Sequence, residues 1–83
     1  MGELSKLPNI SKVIEARLNE AEIFTRQELC GVGSREAFLR IRLKEPTACV
    51  SMLCALEGAI RGIRWHHLPD AVKAELKAFY CTL

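Results

Sequence analysis

Apolar residues Ile10, Val13, Ile14, Leu18 and Ala21 recur at helical spacing, with Lys12, Glu15, Asn19 and Glu20 on the other side. This pattern predicts an amphipathic helix over about 10–20. Pro8 prevents helix upstream, and Asn9 or Ser11 can cap the first amides. Thr25-Arg26-Gln27-Glu28 has the Ser/Thr-x-x-Glu form of a capping box and predicts a short second helix. Cys30-Gly31-Val32-Gly33 should end it, with both glycines free to take positive φ around one buried valine.

Ser34 then caps a third helix to about Leu43. Leu39-Arg40-Ile41-Arg42-Leu43 alternates with period two, as a half-buried strand would. Helix is preferred, because a lone five-residue strand has no partner elsewhere in the sequence. After Pro46, Thr47 should cap a helix running to about Arg61, with Cys49, Val50, Leu53, Leu56, Ala59 and Ile60 inward. Met52, Cys54 and Ala55 widen that apolar arc, which marks this as the central helix. Gly62 stops it, and Leu68-Pro69-Asp70 opens a last helix with Leu68, Val72, Leu76, Phe79, Tyr80 and Leu83 inward. The expected fold is all-α: a small five-helix bundle with helix-hairpin-helix-like turns.

Length and charge narrow the picture. Eighty-three residues suit a single domain over 1–83. Size scaling predicts roughly 5,000 Å² of folded surface against roughly 13,500 Å² unfolded. The net charge of +2 is far from that of a chain binding nucleic acid by charge alone. Its distribution is uneven, however. Residues 1–32 carry four basic and five acidic side chains, and residues 33–64 carry six and three. An anionic partner should therefore meet the middle third.

The most chemically suggestive segment is Cys30-Gly31-Val32-Gly33-Ser34-Arg35. A helix stops, a glycine-flanked hairpin reverses the chain, and a second helix begins. Amides at such a turn and at the following helix N-terminus lack intrahelical partners, so they can hold a phosphate without reading bases. The candidate DNA-phosphate-binding residues are Gly31, Val32, Gly33, Ser34, Arg35, Arg40, Arg42 and Lys44. The alternative is a turn that merely joins two helices. A secondary hairpin spans Asn9, Ile10, Ser11 and Lys12 in Leu7-Pro8-Asn9-Ile10-Ser11-Lys12. Asn tolerates positive φ and Ser does so poorly, which distorts this hairpin as a phosphate site. Glu22 also stands where a helix favours a glycine stop.

Other chemistries are thin. Ser34, His66, His67 and the four cysteines show no nucleophile elbow or orienting acid, so no catalytic residue is assigned and no enzyme is expected. No metal site or cofactor is expected, because no cysteine pair has finger-like spacing and the adjacent histidines do not suit one tetrahedral ion. Cys30, Cys49 and Cys54 should instead be small buried hydrophobes in a cytoplasmic protein. The longest uncharged stretch, Pro46 to Leu56, is too short to span a membrane. Trp65 reads as a plug between helices, its indole bonded to a carbonyl, in preference to a base-stacking platform.

Leu7-Pro8-Asn9-Ile10, Leu18-Asn19-Glu20 with Ile23 and Thr25, Leu53-Cys54-Ala55-Leu56-Glu57-Gly58-Ala59-Ile60-Arg61-Gly62, Trp65 and Leu68-Pro69 together resemble the C-terminal domain of the TfoX/Sxy family. The similarity covers about residues 4–77, and Leu-Glu-Gly-Ala-Ile followed by Trp and Leu-Pro is its most specific part. Ser11 and Glu22 depart from it, since relatives tend to have Gly there. The resemblance implies an all-helical, helix-hairpin-helix-like bundle and a link to regulation of natural competence in bacteria. Larger members join this domain to an N-terminal α/β domain, so the expectation here is the helical half standing alone. It also makes Gly58 notable. A mid-helix glycine costs about 1 kcal/mol relative to alanine, and close approach of another helix is the expected reason for it.

Two readings of function follow. In the first, the domain associates weakly and non-specifically with the DNA backbone through residues 31–35 and the neighbouring arginines. In the second, it is a protein-interaction module for a transcription or competence regulator or for a second copy of itself, as a homodimer. Neither involves a membrane or a small-molecule substrate.

Overall fold

The computed structural model describes residues 4–83. Five α-helices follow one another: α1 Lys12–Glu20, α2 Arg26–Val32, α3 Ser34–Lys44, α4 Val50–Arg61 and α5 Asp70–Cys81. Single 3-10 turns at Leu4–Lys6 and Trp65–His67 precede α1 and join α4 to α5; hydrophobic periodicity does not register three-residue elements of this kind. No strand occurs among the described residues, and the alternating segment 39–43 is helical. The accessible surface is 4916 Å², near the value expected from size alone.

Local signals account for most boundaries. Ser11 caps α1, its hydroxyl accepting from the Ile14 amide at 3.2 Å. Thr25 and Glu28 form the reciprocal capping box that starts α2. Both α1 and α4 end in a Schellman motif. In α4 the Gly62 amide donates to Ala59 O and the Ile63 amide to Gly58 O, with Gly62 at φ 75°. In α1 the Glu22 amide donates to Asn19 O and the Ile23 amide to Leu18 O, with Glu22 at φ 66°. The left-handed position is thus present at Glu22. It is sustained because Leu18 and Ile23 are both fully buried and hold the motif closed.

Several boundaries differ from expectation. Gly31 is an ordinary helical residue of α2, and only Gly33 takes positive φ, at 90°. Ser34 does not cap α3 but is its first residue, because Gly33 makes the whole corner. Thr47 does not cap α4, whose N-cap is Cys49; the Thr47 hydroxyl donates to the Glu45 carboxylate at 2.7 Å instead.

The core is built around α4, which packs on α3, α5, α2 and the Trp65–His67 turn. Leu53 and Leu56 of α4 are fully buried with Leu18, Leu29, Phe38, Ile41 and Leu76 from the other helices and Ile23 from the turn between α1 and α2. Of the cysteines expected inside, only Cys54 is buried; Cys30 lies on the outer face of α2 and Cys49 precedes its helix. Val13 is 64% exposed, because α1 turns only one narrow stripe inward through Leu18 and Ile14. Among the described residues no helix is long and apolar enough to cross a membrane.

Candidate functional site

Gly33 reverses the chain between α2 and α3, and the corner drops Ser34 onto α4. The buried Ser34 hydroxyl donates to Glu57 Oε1 at 2.6 Å, and Arg61 Nε donates to Glu57 Oε2 at 2.6 Å. Burial pushes the Glu57 carboxyl up, but the bonds from Ser34 and Arg61 and the nearby charges of Arg61 and Arg35 outweigh it. The group is held below the usual carboxylate range. The first turn of α3, which has no side-chain cap, therefore opens on a depression of about 470 Å³ that already contains a carboxylate. Gly33, Ser34, Arg35, Glu57 and Phe79 line it.

Of the basic residues chosen from sequence, Arg35 lines that depression, and Arg40, Arg42 and Lys44 do not. The Arg35 guanidinium lies 5.8 Å above the Phe79 ring. Arg40 pairs with Glu36 one turn back at 3.2 Å. The Arg42 guanidinium carbon lies 5.3 Å from the centre of the Tyr80 ring, and its Nη1 is buried with no hydrogen-bond partner. Lys44 reaches the Glu20 carbonyl at 3.4 Å. Val32, half-buried, packs against the core, whereas Gly31 is exposed with open space around it.

The secondary hairpin serves another purpose. Asn9 sits at φ 70°, and its carboxamide enters the C-terminal end of α4. Nδ2 donates to Ile63 O at 2.9 Å and Ala55 O at 3.4 Å, while Oδ1 accepts from the Trp65 amide at 3.0 Å. Ile10 is buried, Ser11 caps α1, and Lys12 is exposed as the first residue of α1. A Cβ on Gly58 would lie 2.6 Å from Asn9 Nδ2 and 2.8 Å from Ile63 O. The close approach that requires glycine is thus the Asn9 side chain and the turn after α4, not another helix. Trp65 is half-buried, stacks on His66 at 4.1 Å and is tied in through its backbone amide.

The TfoX C-terminal domain family matches residues 1–80 of the chain. The chain belongs to the TfoX C-terminal domain family. Protein Sxy of Escherichia coli (strain K12) is 38% identical over 73 residues, which cover 88% of this chain and 35% of Sxy. The chain thus spans about a third of the length of that curated relative. Two crystal structures of Listeria monocytogenes proteins, one described as uncharacterized and one as of unknown function, share the fold. The first has a TM-score of 0.94 and 56% identity over 95% of this chain and 90% of its own. The second has a TM-score of 0.91 and 55% identity over 94% and 96%. In this TfoX C-terminal domain the Leu-Glu-Gly-Ala-Ile stretch has a structural meaning. Leu56 and Ala59 face the core, Glu57 receives Ser34, and Gly58 admits Asn9.

Sequence reasoning overlooked a second surface. A groove of about 590 Å³ is lined by Glu36, Leu39, Arg40, Arg42, Leu43 and Leu83. Leu43 is 85% exposed and Leu83 45%. The signal was present in α3: Ser34, Ala37, Phe38 and Ile41 make one buried stripe, and Leu39 and Leu43 are left over as an i, i+4 pair on another face.

Proposed function

We propose that this domain is a non-enzymatic interaction module that engages a protein partner through the face formed by α3 and the end of α5. The exposed leucines at Leu43 and Leu83, contiguous with half-buried Leu39, carry this reading, because a contiguous apolar patch rimmed by charged residues marks an interaction surface where single scattered ones do not. Of the arginines that favoured DNA, Arg40 is paired with Glu36, and Glu57 holds negative charge beside the α3 N-terminus. Both features oppose a phosphate docking there. The relation to Sxy supports a regulatory setting for the contact, of the kind associated with competence.

Weak DNA association retains the uncapped first turn of α3 and exposed Arg35 in its favour. A photo-cross-linking residue placed at Leu43, and separately at the exposed control Val13, separates the two. Protein adducts at position 43 that are absent at position 13 and lost on Leu83→Ser are expected. Duplex DNA binding at low salt that disappears in Arg35→Ala and Arg40→Ala, with no position-43 adduct, overturns the interaction reading.

A further inference from the structure

The chemistry of the groove beside Leu43 specifies what should fill it, granted that this face is the interaction surface. Leu39, Leu43 and Leu83 supply its apolar lining, and Glu36, Arg40 and Arg42 its charged one. Glu36 is already paired with Arg40 at 3.2 Å. Arg42 is different. Its guanidinium carbon lies 5.3 Å from the centre of the Tyr80 ring, one nitrogen is buried without an acceptor, and no acidic side chain among the described residues forms an ion pair with it. A half-buried cation lacking a counter-charge, beside uncovered leucines, leaves both apolar and electrostatic stabilisation unused.

We propose that the groove binds an acidic amphipathic helix from another protein. Apolar side chains one turn apart on that helix lie against Leu39, Leu43 and Leu83, and a carboxylate on its flank pairs with Arg42. Charge complementarity selects this occupant over the others. A two-fold contact with a second copy of this chain sets Arg42 against the same patch, whose one side-chain carboxylate, Glu36, is already paired with Arg40. A nucleic acid would complement Arg42 but leave three leucines facing phosphate.

The test uses a helical probe peptide with leucines at i, i+3, i+4 and i+7 and glutamates on its flanks, titrated into the isotope-labelled domain. A matched peptide carries lysines in place of the glutamates. Resonances of Leu39, Leu43 and Leu83 should move with the acidic peptide, and Leu43→Ser and Arg42→Gln should each weaken binding about tenfold. Arg42→Lys should recover part of the loss, and the lysine peptide should bind at least about tenfold less tightly. Equal binding of both peptides that still depends on Leu43 removes the acidic partner while keeping the interaction face. Absence of shifts with either peptide removes both. Self-association abolished by Leu43→Ser, measured by sedimentation, puts a second copy in the groove and overturns the proposal. Displacement of the acidic peptide by duplex DNA overturns it as well.

Discussion

At residues 7–12 one residue both takes positive φ and anchors the turn, whereas at residues 30–35 two residues divide these tasks. Asn9 adopts φ 70° and reaches three backbone groups of the α4 C-terminal region with its carboxamide. Gly33 adopts φ 90°, makes no side-chain contact, and leaves the anchoring to Ser34 one residue later. Both turns converge on consecutive residues of α4, since Glu57 takes Ser34 and Gly58 makes room for Asn9. The two positions point about 100° apart around the helix, so one dipeptide fixes two turns on different faces of the central helix. Polar groups satisfied this way specify where each turn sits, while the leucines around them supply the bulk of the burial.

The comparison predicts unequal sensitivity. Asn9→Ala should be the most damaging change, lowering stability by about 3 kcal/mol, because it orphans the Ile63 carbonyl and Trp65 amide and puts alanine in a left-handed conformation. Chemical denaturation measures it, and Asn9→Gly, which relieves only the backbone strain, should recover about 1 kcal/mol. A loss below that of Ser34→Ala would reverse the ranking of the two turns.

Gly58→Ala comes next, at about 2 kcal/mol, because the added Cβ strikes backbone at Ile63 O as well as Asn9 Nδ2, and this outweighs the gain in helix propensity. An unchanged or raised melting temperature would show that the turn after α4 yields readily.

Ser34→Ala should have the smallest effect, about 1 kcal/mol near neutral pH. Its value lies in the pH dependence. Glu57 is held below its ordinary pKa, so its contribution is present above the unfolded value and is lost as pH falls through the folded one. Removing the Ser34 bond raises the folded value. The gap between wild type and variant should therefore be widest above the ordinary carboxylate range and narrow on acidification. A gap independent of pH would mean that Ser34 acts by packing alone.

Much of the fold was legible because its local signals are strong. The Thr25–Glu28 capping box, Gly62 and the wide apolar arc of α4 are short-range chemistry, readable without knowing what lies opposite. The family signature around Glu57 and Gly58 was legible too, but its meaning was not. Gly58 looks like a helix-packing glycine until the chain has folded back to place Asn9, 49 residues earlier, against it. The candidate site fared less well. The hairpin expected over residues 31–35 is a corner at Gly33 alone, and Ser34 and Arg35, already in α3, are engaged by Glu57 and Phe79, which are distant in sequence. Leu39 and Leu43 passed as ordinary helix residues, because exposure depends on which of two apolar stripes a neighbour covers.

The sequence by itself determined five helices, most of their ends and a core centred on α4, since propensity, capping and periodicity act within a few residues. Only the tertiary structure decided that one hairpin is a clasp, that a glutamate stands beside the α3 N-terminus, and that Leu43, Leu83 and Arg42 meet in an uncovered groove. Those outcomes depend on contacts between residues tens of positions apart, and no local pattern encodes which side chains the folded chain leaves without a partner.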